Sequence, residues 1–315
     1  MNISLQYFIT VVQEQSLARA AEKLYISPQN LSNHIRRLEK QYGVLFTRAP
    51  RFHLTMVGEA LVRTAQQIGI LEQGLAVQLD EIKHDKQGHL RIGVHSTRSR
   101  ILMPNILQRF WSDYPDVTID FFYQDMFSNE RMLLNGDIDF FFGVDPRSSP
   151  DFMRIHLRNE PSYLITSKST LRSCGISPVK DTIALRDLTK LDYVLPPPIS
   201  RFRNKIDRFC DTEGISLHIL TQISDFELQL LLAARSMCSC FCPQMFLRRM
   251  EEINRLSSSE NQLYAFRVEH LDATTELSLV YHRLAYRSRI MDAFINAFVK
   301  EFPEEQPQQN AASKV

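Results

Sequence analysis

Most signatures that would make an enzyme of a 315-residue chain are missing here. There is no Gly-x-x-x-x-Gly-Lys-Ser/Thr phosphate loop and no His-Glu-x-x-His pair. No Gly-x-Gly-x-x-Gly follows the apolar stretch Leu90 to Val94, and the nine histidines are scattered without a Ser/His/Asp arrangement. No apolar run approaches the ~18 residues of a membrane-spanning helix. The five cysteines are odd in number, and three crowd at Cys238, Cys240 and Cys242, which excludes a secreted disulfide framework. The opening MNISLQYFITVV lacks a basic region and Gln6 interrupts it, so it does not read as a signal peptide, and a cytoplasmic location is expected. Tandem repeats are absent too. An enzyme and an exported solute-binding protein are the rival classes, and neither finds support in these features.

The net charge of +1 excludes nothing, but its distribution is informative. Residues 1–65 carry eight Lys or Arg against Glu14, Glu22, Glu39 and Glu59, and the rest is near neutral. A positive lobe on a neutral body fits contact with phosphate at one end. In that lobe Leu5, Phe8, Ile9 and Val12 have the spacing of one buried helix stripe. Ser16 can cap a second helix to Leu24, in which Ala20 and Ala21 permit a close crossing. Ser27-Pro28 starts a third helix with an N-cap hydroxyl and a proline at the first helical position, and Gly43 ends it. That helix has an apolar stripe, Leu31, Ile35, Leu38 and Tyr42, and a polar one, Gln29, Asn33, Arg36 and Lys40. Residues 47–55 read as a short basic hairpin.

From Met56 to Lys86 the helical period returns. Leu61, Ala65, Ile68, Leu75, Leu79 and Ile82 lie on alternating steps of four and three, with Glu72 the one polar member, as in a pairing seam. Such a helix could instead pack on its own subunit. After Gly88 strands and helices alternate: strands at Leu90–Val94, Val117–Tyr123 and Ile138–Val144, with helices at Ile101–Trp111 and Asn129–Leu134. A second round follows from Tyr163, with a cysteine-bearing strand at Met237–Cys242 and a last helix at Tyr286–Phe302. The rhythm predicts α/β architecture with a parallel-type sheet.

The third helix carries the functional expectation. A major groove ~12 Å wide admits one α-helix, whose N-terminal side chains meet the base edges. Gln and Asn pair bidentately with adenine and Arg with guanine. Gln29, Asn30, Ser32 and Asn33 are therefore placed for bases, and Arg36 and Arg37 for bases or phosphates. Ser27 and the free N–H groups of that helix end can hold a phosphate. Arg48 and Arg51 in the hairpin could follow the backbone or probe the minor groove, with His53 a poorer, pH-dependent contact. A solvated polar helix face would show the same stripe; the tight alanine crossing, the Ser27-Pro28 start and the hairpin set this one apart.

Ser16-Leu17-Ala18-Arg19-Ala20-Ala21-Glu22-Lys23-Leu24, then Ile26-Ser27, Leu31-Ser32 and Ile35-Arg36-Arg37-Leu38-Glu39, resemble the LysR-type transcriptional regulators. Gly43-Val44, Leu45-Phe46, Arg48, Leu54-Thr55 and Gly58 continue the match. Weaker echoes run through Leu90-Arg91-Ile92-Gly93, Tyr114-Pro115-Asp116-Val117 and Asn135-Gly136-Asp137-Ile138-Asp139. The resemblance implies a bacterial regulator with a winged helix-turn-helix at 1–58, a linker and dimerisation helix at 59–87 and an effector-binding domain at 88–302. It divides that domain into two α/β subdomains of periplasmic-binding-protein type, I at about 88–162 and 270–302 and II at about 163–269. Residues 303–315, polar and Gln-rich, are expected to be disordered. The implied partners are double-stranded DNA, a small effector, a second copy in a homodimer or homotetramer, and RNA polymerase; no cofactor and no metal is expected. Three departures stand out: Pro28 where the family has Gln, a wing one residue short, and Ala234-Arg235-Ser236-Met237 where the family has a Gly-rich turn.

In a clamshell of this kind the effector lies at strand ends and helix N-termini. The candidates are Ser96, Thr97, Arg98, Ser99, Ser128, Asp145, Ser200 and Arg201, and the arginines point to an anionic ligand. Plain helix capping would account equally for the hydroxyl residues. Cys238, Cys240 and Cys242 alternate on one strand face, so they could sense oxidants or bind a soft metal, or else simply pack.

Overall fold

The computed structural model of the protein describes residues 2–47, 52–83, 87–178 and 181–302. It opens on three capped helices. Asn2 caps α1 (Ile3–Glu14), accepting from the Ser4 N–H, and Ser16 caps α2 (Leu17–Lys23), accepting from the Arg19 N–H. Ser27 caps α3 (Pro28–Tyr42), accepting from the Asn30 N–H, with Pro28 in the first turn. α2 ends in a Schellman motif: Ile26 N–H donates to Ala21 C=O and Tyr25 N–H to Glu22 C=O. Tyr25 takes the left-handed position at φ 54°, where glycine is the usual occupant. Phe8, Val11, Ala20, Ala21, Leu31, Ile35 and Leu38 form one core with Leu45 and Phe46. In α1 the deepest positions are Phe8 and Val11, while Leu5 and Val12 flank them.

The hairpin is β1 (Phe46–Thr47) antiparallel to β2 (His53–Leu54); Arg48 and Arg51 lie outside the described residues. α4 (Met56–Lys83) follows at once. The Thr55 hydroxyl donates to the Val44 carbonyl and accepts from the Gly58 N–H. A Cβ at Gly58 would stand 2.0 Å from the Leu45 carbonyl oxygen, so only glycine fits where the helix leaves the hairpin. The last residues of the expected linker, 84–86, and the tail from 303 lie outside the described residues.

Beyond Gly88 run β3 (Gly88–Val94), α5 (Ser96–Asp113), β4 (Val117–Tyr123), α6 (Met126–Asn135), β5 (Phe140–Val144) and β6 (Phe152–Glu160). Next come β7 (Ser162–Ser167), α7 (Lys168–Ser173), β8 (Thr182–Ile183), α8 (Leu185–Leu188) and β9 (Asp192–Leu195). α9 (Arg201–Glu213), β10 (His218–Gln222), α10 (Phe226–Ala233), β11 (Cys240–Pro243), α11 (Leu247–Leu256) and β12 (Leu263–Val268) complete that half. The chain then returns with β13 (Thr275–His282) and α12 (Arg289–Val299). The first sheet has the order β4-β3-β5-β13-β6. Its β4, β3 and β5 are parallel, but β13 is antiparallel to both β5 and β6. The expected parallel-type sheet is therefore mixed, because β6 and β13 are the two strands that connect to the second half. That half has a sheet of order β11-β7-β12-β8, with β10 parallel to β9. The sequence reading missed β6, α7, β8, α8, α11 and β12. In β6 the apolar residues are interleaved with Arg, His and Asn and no clean period shows. The elements α7, β8 and α8 are short, and α11 has an apolar stripe, Leu247, Met250 and Ile253, that was overlooked.

The turn that departs from the family pattern has a physical solution. Ser236 adopts φ 55°, and its hydroxyl lies 2.8 Å from Ser167 Oγ. A short polar side chain, held by its hydrogen bond to Ser167 at the end of β7, occupies the left-handed position that glycine usually fills.

Candidate nucleic-acid interface and effector cleft

α3 is two-sided. Leu31 and Ile35 are fully buried and Leu38 nearly so, while Gln29, Asn30, Asn33, Arg36, Arg37 and Lys40 are exposed. At 3.6 residues per turn, positions 29, 33, 36, 37 and 40 share an arc of roughly 100°. The Gln29 amide donates to Asn33 Oδ1 at 3.4 Å, so the two side chains lean along one line. Ser27 is exposed, its hydroxyl occupied by the cap; Ser32 is half-buried at the edge of the stripe. His34, on the same helix, faces inward instead, with Nδ1 2.8 Å from Ser4 Oγ and its ring edge-on to Tyr7. It ties α3 to α1 and leaves the polar stripe free. His53 is exposed on β2, beside the recognition module.

α4 divides its surface between two jobs. Ala65 is fully buried, and Leu61 packs against the N-terminal core, so these two members of the expected seam are spent inside the subunit. Another face lies on the following domain: Gln66 donates to Asn135, Gly74 packs on Tyr286, and Glu81 accepts from the Tyr286 hydroxyl and the Arg289 N–H. Leu71, Leu75, Leu79 and Ile82 remain at least half exposed on one stripe, and Ile68 is half-buried above them.

A cleft of about 190 Å³ opens between the two sheets. From the first half it is lined by His95, Arg98, Gln124, Asp125, Met126, Phe127, Asn129, Phe142 and Val144; from the second by Pro196, Pro197, Ile199, Ser200, Arg201, Phe202, Ser224 and Phe226. Of the expected contact residues it unites Arg98, Ser200 and Arg201. Ser96, Thr97, Ser99, Ser128 and Asp145 do not line it. Thr97 and Ser99 are buried, and the Ser99 hydroxyl donates back to the Ser96 carbonyl. Ser128 does not open α6: Asp125 does, accepting from both the N–H and the hydroxyl of Ser128. The Asp145 carboxylate is held by the Glu276 N–H and by Lys205. The apolar lining was missed because Phe127, Phe142, Phe202 and Phe226 read from sequence as ordinary core.

Both cleft arginines are already paired, each with a carboxylate that a second arginine shares, Glu160 with Arg158 and Glu130 with Arg147. Arg98 donates to Glu160 at 2.8 Å and to Met245 Sδ, and Glu160, fully buried where β6 hands over to β7, also accepts from the Met245 N–H. Arg201 donates to Glu130 at 2.8 Å and to the Asp145 carbonyl. Nothing in sequence spacing announced Glu130 or Glu160 as counter-charges, since each lies dozens of residues from its arginine. Burial, with Arg98 alongside, holds the His95 imidazole below its usual range, so it is neutral at pH 7. Burial would raise the Asp125 carboxyl, but the hydrogen bonds from Ser128 outweigh it and hold the group below its usual range. His95 makes no capping bond to α5.

The cysteine trio sits inside the second half. Cys240 and Cys242 are fully buried on β11, and burial pushes both thiols far above their usual range. The Cys238 thiol is pushed up to about 11, again by burial. A thiol that resists ionisation is a poor nucleophile and a poor ligand, so packing describes these residues better than sensing. Among the described residues no cluster of three or more His, Cys, Asp or Glu could hold a metal ion, and no helix is long and apolar enough to cross a membrane.

Known proteins share this arrangement. The sequence model for bacterial regulatory helix-turn-helix proteins of the lysR family matches residues 4–59, and that for the LysR substrate binding domain matches residues 83–303. The HTH-type transcriptional regulator YtlI of Bacillus subtilis is 31% identical over 213 residues, 67% of each chain. XapR of Escherichia coli, also an HTH-type transcriptional regulator, is 26% identical over 226 residues, 70% of this chain and 74% of that one. In fold, a full-length OxyR variant from Pseudomonas aeruginosa matches with a TM-score of 0.66 at 20% identity, covering 96% of this chain and 98% of that one. Full-length CbnR in complex with its target DNA matches at 0.54 and 20% identity, covering 94% and 98%. With a two-faced α3 at one end and a cleft between two α/β halves at the other, the protein belongs to the LysR family, as a DNA-binding transcription regulator with an effector-binding domain.

Proposed function

We propose that α3 enters the major groove, with Gln29, Asn30, Ser32 and Asn33 reading base edges and Arg36 and Arg37 holding bases or phosphates. Ser27 and the first turn of α3 grip a phosphate, and the hairpin with Arg48, Arg51 and His53 follows the adjacent backbone. The observation that carries this reading is the polarity of α3: three buried apolar residues on one side and, on the other, an uninterrupted stripe of amide and guanidinium groups. Two copies pair through the exposed stripe of α4, as a dimer or as the unit of a tetramer, because one such module makes too few phosphate contacts to hold DNA alone. A small effector occupies the cleft, touching Arg98, Ser200 and Arg201, and shifts the two α/β halves relative to each other. The pair then presents itself to RNA polymerase at a promoter in the cytoplasm. The cleft is read as a binding site and no turnover is assigned to it.

The test is a mobility shift on the upstream intergenic DNA with Asn33→Ala and Arg36→Ala. Each is expected to cost about 1–3 kcal/mol and to relax base preference at one position. Unchanged affinity and unchanged preference in both would remove the assignment of α3.

A further inference from the structure

The chemical class of the effector can be read from the cleft wall, taking the cleft as the effector site proposed above. An apolar cavity of ~150 Å³ holds one benzene ring, so about 190 Å³ holds a ring with a small substituent. Phe142, Phe202 and Phe226 are buried in the wall, while Phe127 and Ile199 stand 60% and 75% exposed at the rim, one from each half. Large apolar side chains left open on both lips are covered only when something apolar lies between them.

The polar groups decide the charge. Arg98 is paired with Glu160 and Arg201 with Glu130, carboxylates that Arg158 and Arg147 also share, so either guanidinium meets a ligand anion only by loosening its own ion pair. Breaking the first pair would leave Glu160, where no water reaches it, with only the longer ion pair to Arg158 at 3.5 Å. His95 is neutral at pH 7 and adds no positive charge. Asp125 lines the cleft as a carboxylate whose hydrogen bonds come only from its own helix, so it repels a second carboxylate. Asn129 also lines the cleft, but its unpartnered Oδ1 is buried against Gly93 of β3 and is closed to a ligand there. The helix ends do not reverse this balance, because Asp125 and Ser200 already cap α6 and α9. Of the helices that begin beside the cleft, α5 has no side-chain cap, and its first turn suits an acceptor oxygen.

We propose that the cleft takes an uncharged, one-ring aromatic compound bearing an amide, carbonyl or hydroxyl group, and discriminates against the carboxylate of the same shape. The arginines expected from sequence to attract an anion serve instead to hold the two walls.

Isothermal titration of the full-length protein with benzamide, benzyl alcohol and benzoate tests this. At least one uncharged probe is expected to bind, and about tenfold or more tightly than benzoate. Asp125→Asn keeps a good helix cap and is expected to narrow that gap by strengthening benzoate. Benzoate binding as well as or better than both neutral probes, or no binding by either of them, overturns the class. Val144→Trp fills the cleft and should abolish the binding; if it leaves the affinity unchanged, the cleft is not the site, and class and site fall together. DNA affinity of the same samples, which none of these substitutions touches, reports separately on the regulator itself.

Discussion

Replacing Leu75 and Leu79 of α4 together by glutamate should turn a paired protein into a monomer. Both side chains are about half exposed in the single subunit, 54% and 50%. They lie away from Gln66, Gly74 and Glu81, which hold α4 to its own domain. Covering the remaining half of a leucine is worth about 1 kcal/mol. Two residues on each of two helices then contribute about 4 kcal/mol, a factor of roughly a thousand in the dissociation constant. Four carboxylates brought to one seam add repulsion. Sedimentation equilibrium over a concentration series reads the change directly, and circular dichroism checks that the subunit still folds. Operator affinity should fall in parallel, since each half-site is then bound alone. A double variant that folds and associates as tightly as the parent would refute the pairing role of this stripe.

Three further outcomes are expected. Glu160→Ala leaves Arg98 buried without its partner and should cost about 3–5 kcal/mol, read as a lower urea midpoint; Glu160→Gln, which keeps an acceptor for the Met245 N–H, should cost less. Burial holds His95 and His282 below the usual imidazole range, and His282 Nδ1 accepts from the Leu284 N–H, which a protonated ring cannot do. Their contribution to stability is therefore present above about pH 6.5 and lost as pH falls below it, because the unfolded chain takes up protons that the folded one resists. Melting temperature against pH checks this, and His282→Gln should flatten the acid limb. Thiol titration of the native protein should modify Cys174 readily while Cys210, Cys238, Cys240 and Cys242 react only on unfolding; rapid modification of any of the last three would revive the sensor reading.

The DNA-facing end was nearly all legible in the sequence, because its determinants are local. Ser16, Ser27 and Pro28 cap helices within three residues of themselves, and the buried stripe of α3 repeats along one segment. α4 was legible as a helix but not as a divided surface. The burial of Ala65 and Leu61 depends on contacts with distant residues, so a uniform seam and a shared one read alike. The cleft was the least legible part. Arg98 and Arg201 suggest an anion site until Glu160 and Glu130, 62 and 71 positions away, are seen to face them. Ser128 looked like a helix start because its hydroxyl caps well in principle, yet Asp125 three residues earlier takes the role. Local chemistry announces caps and stripes; charge balance is a property of the fold.

The central claim, that the protein is a sequence-specific DNA reader, is tested most directly by fluorescence anisotropy on its upstream duplex and on a shuffled duplex across a salt series. A slope of log K against log salt of about −4 or steeper is predicted, since each phosphate neutralised contributes about −0.9. The upstream duplex should bind at least about a hundredfold more tightly than the shuffled one. A slope near zero, or equal affinity for both duplexes, would contradict the account.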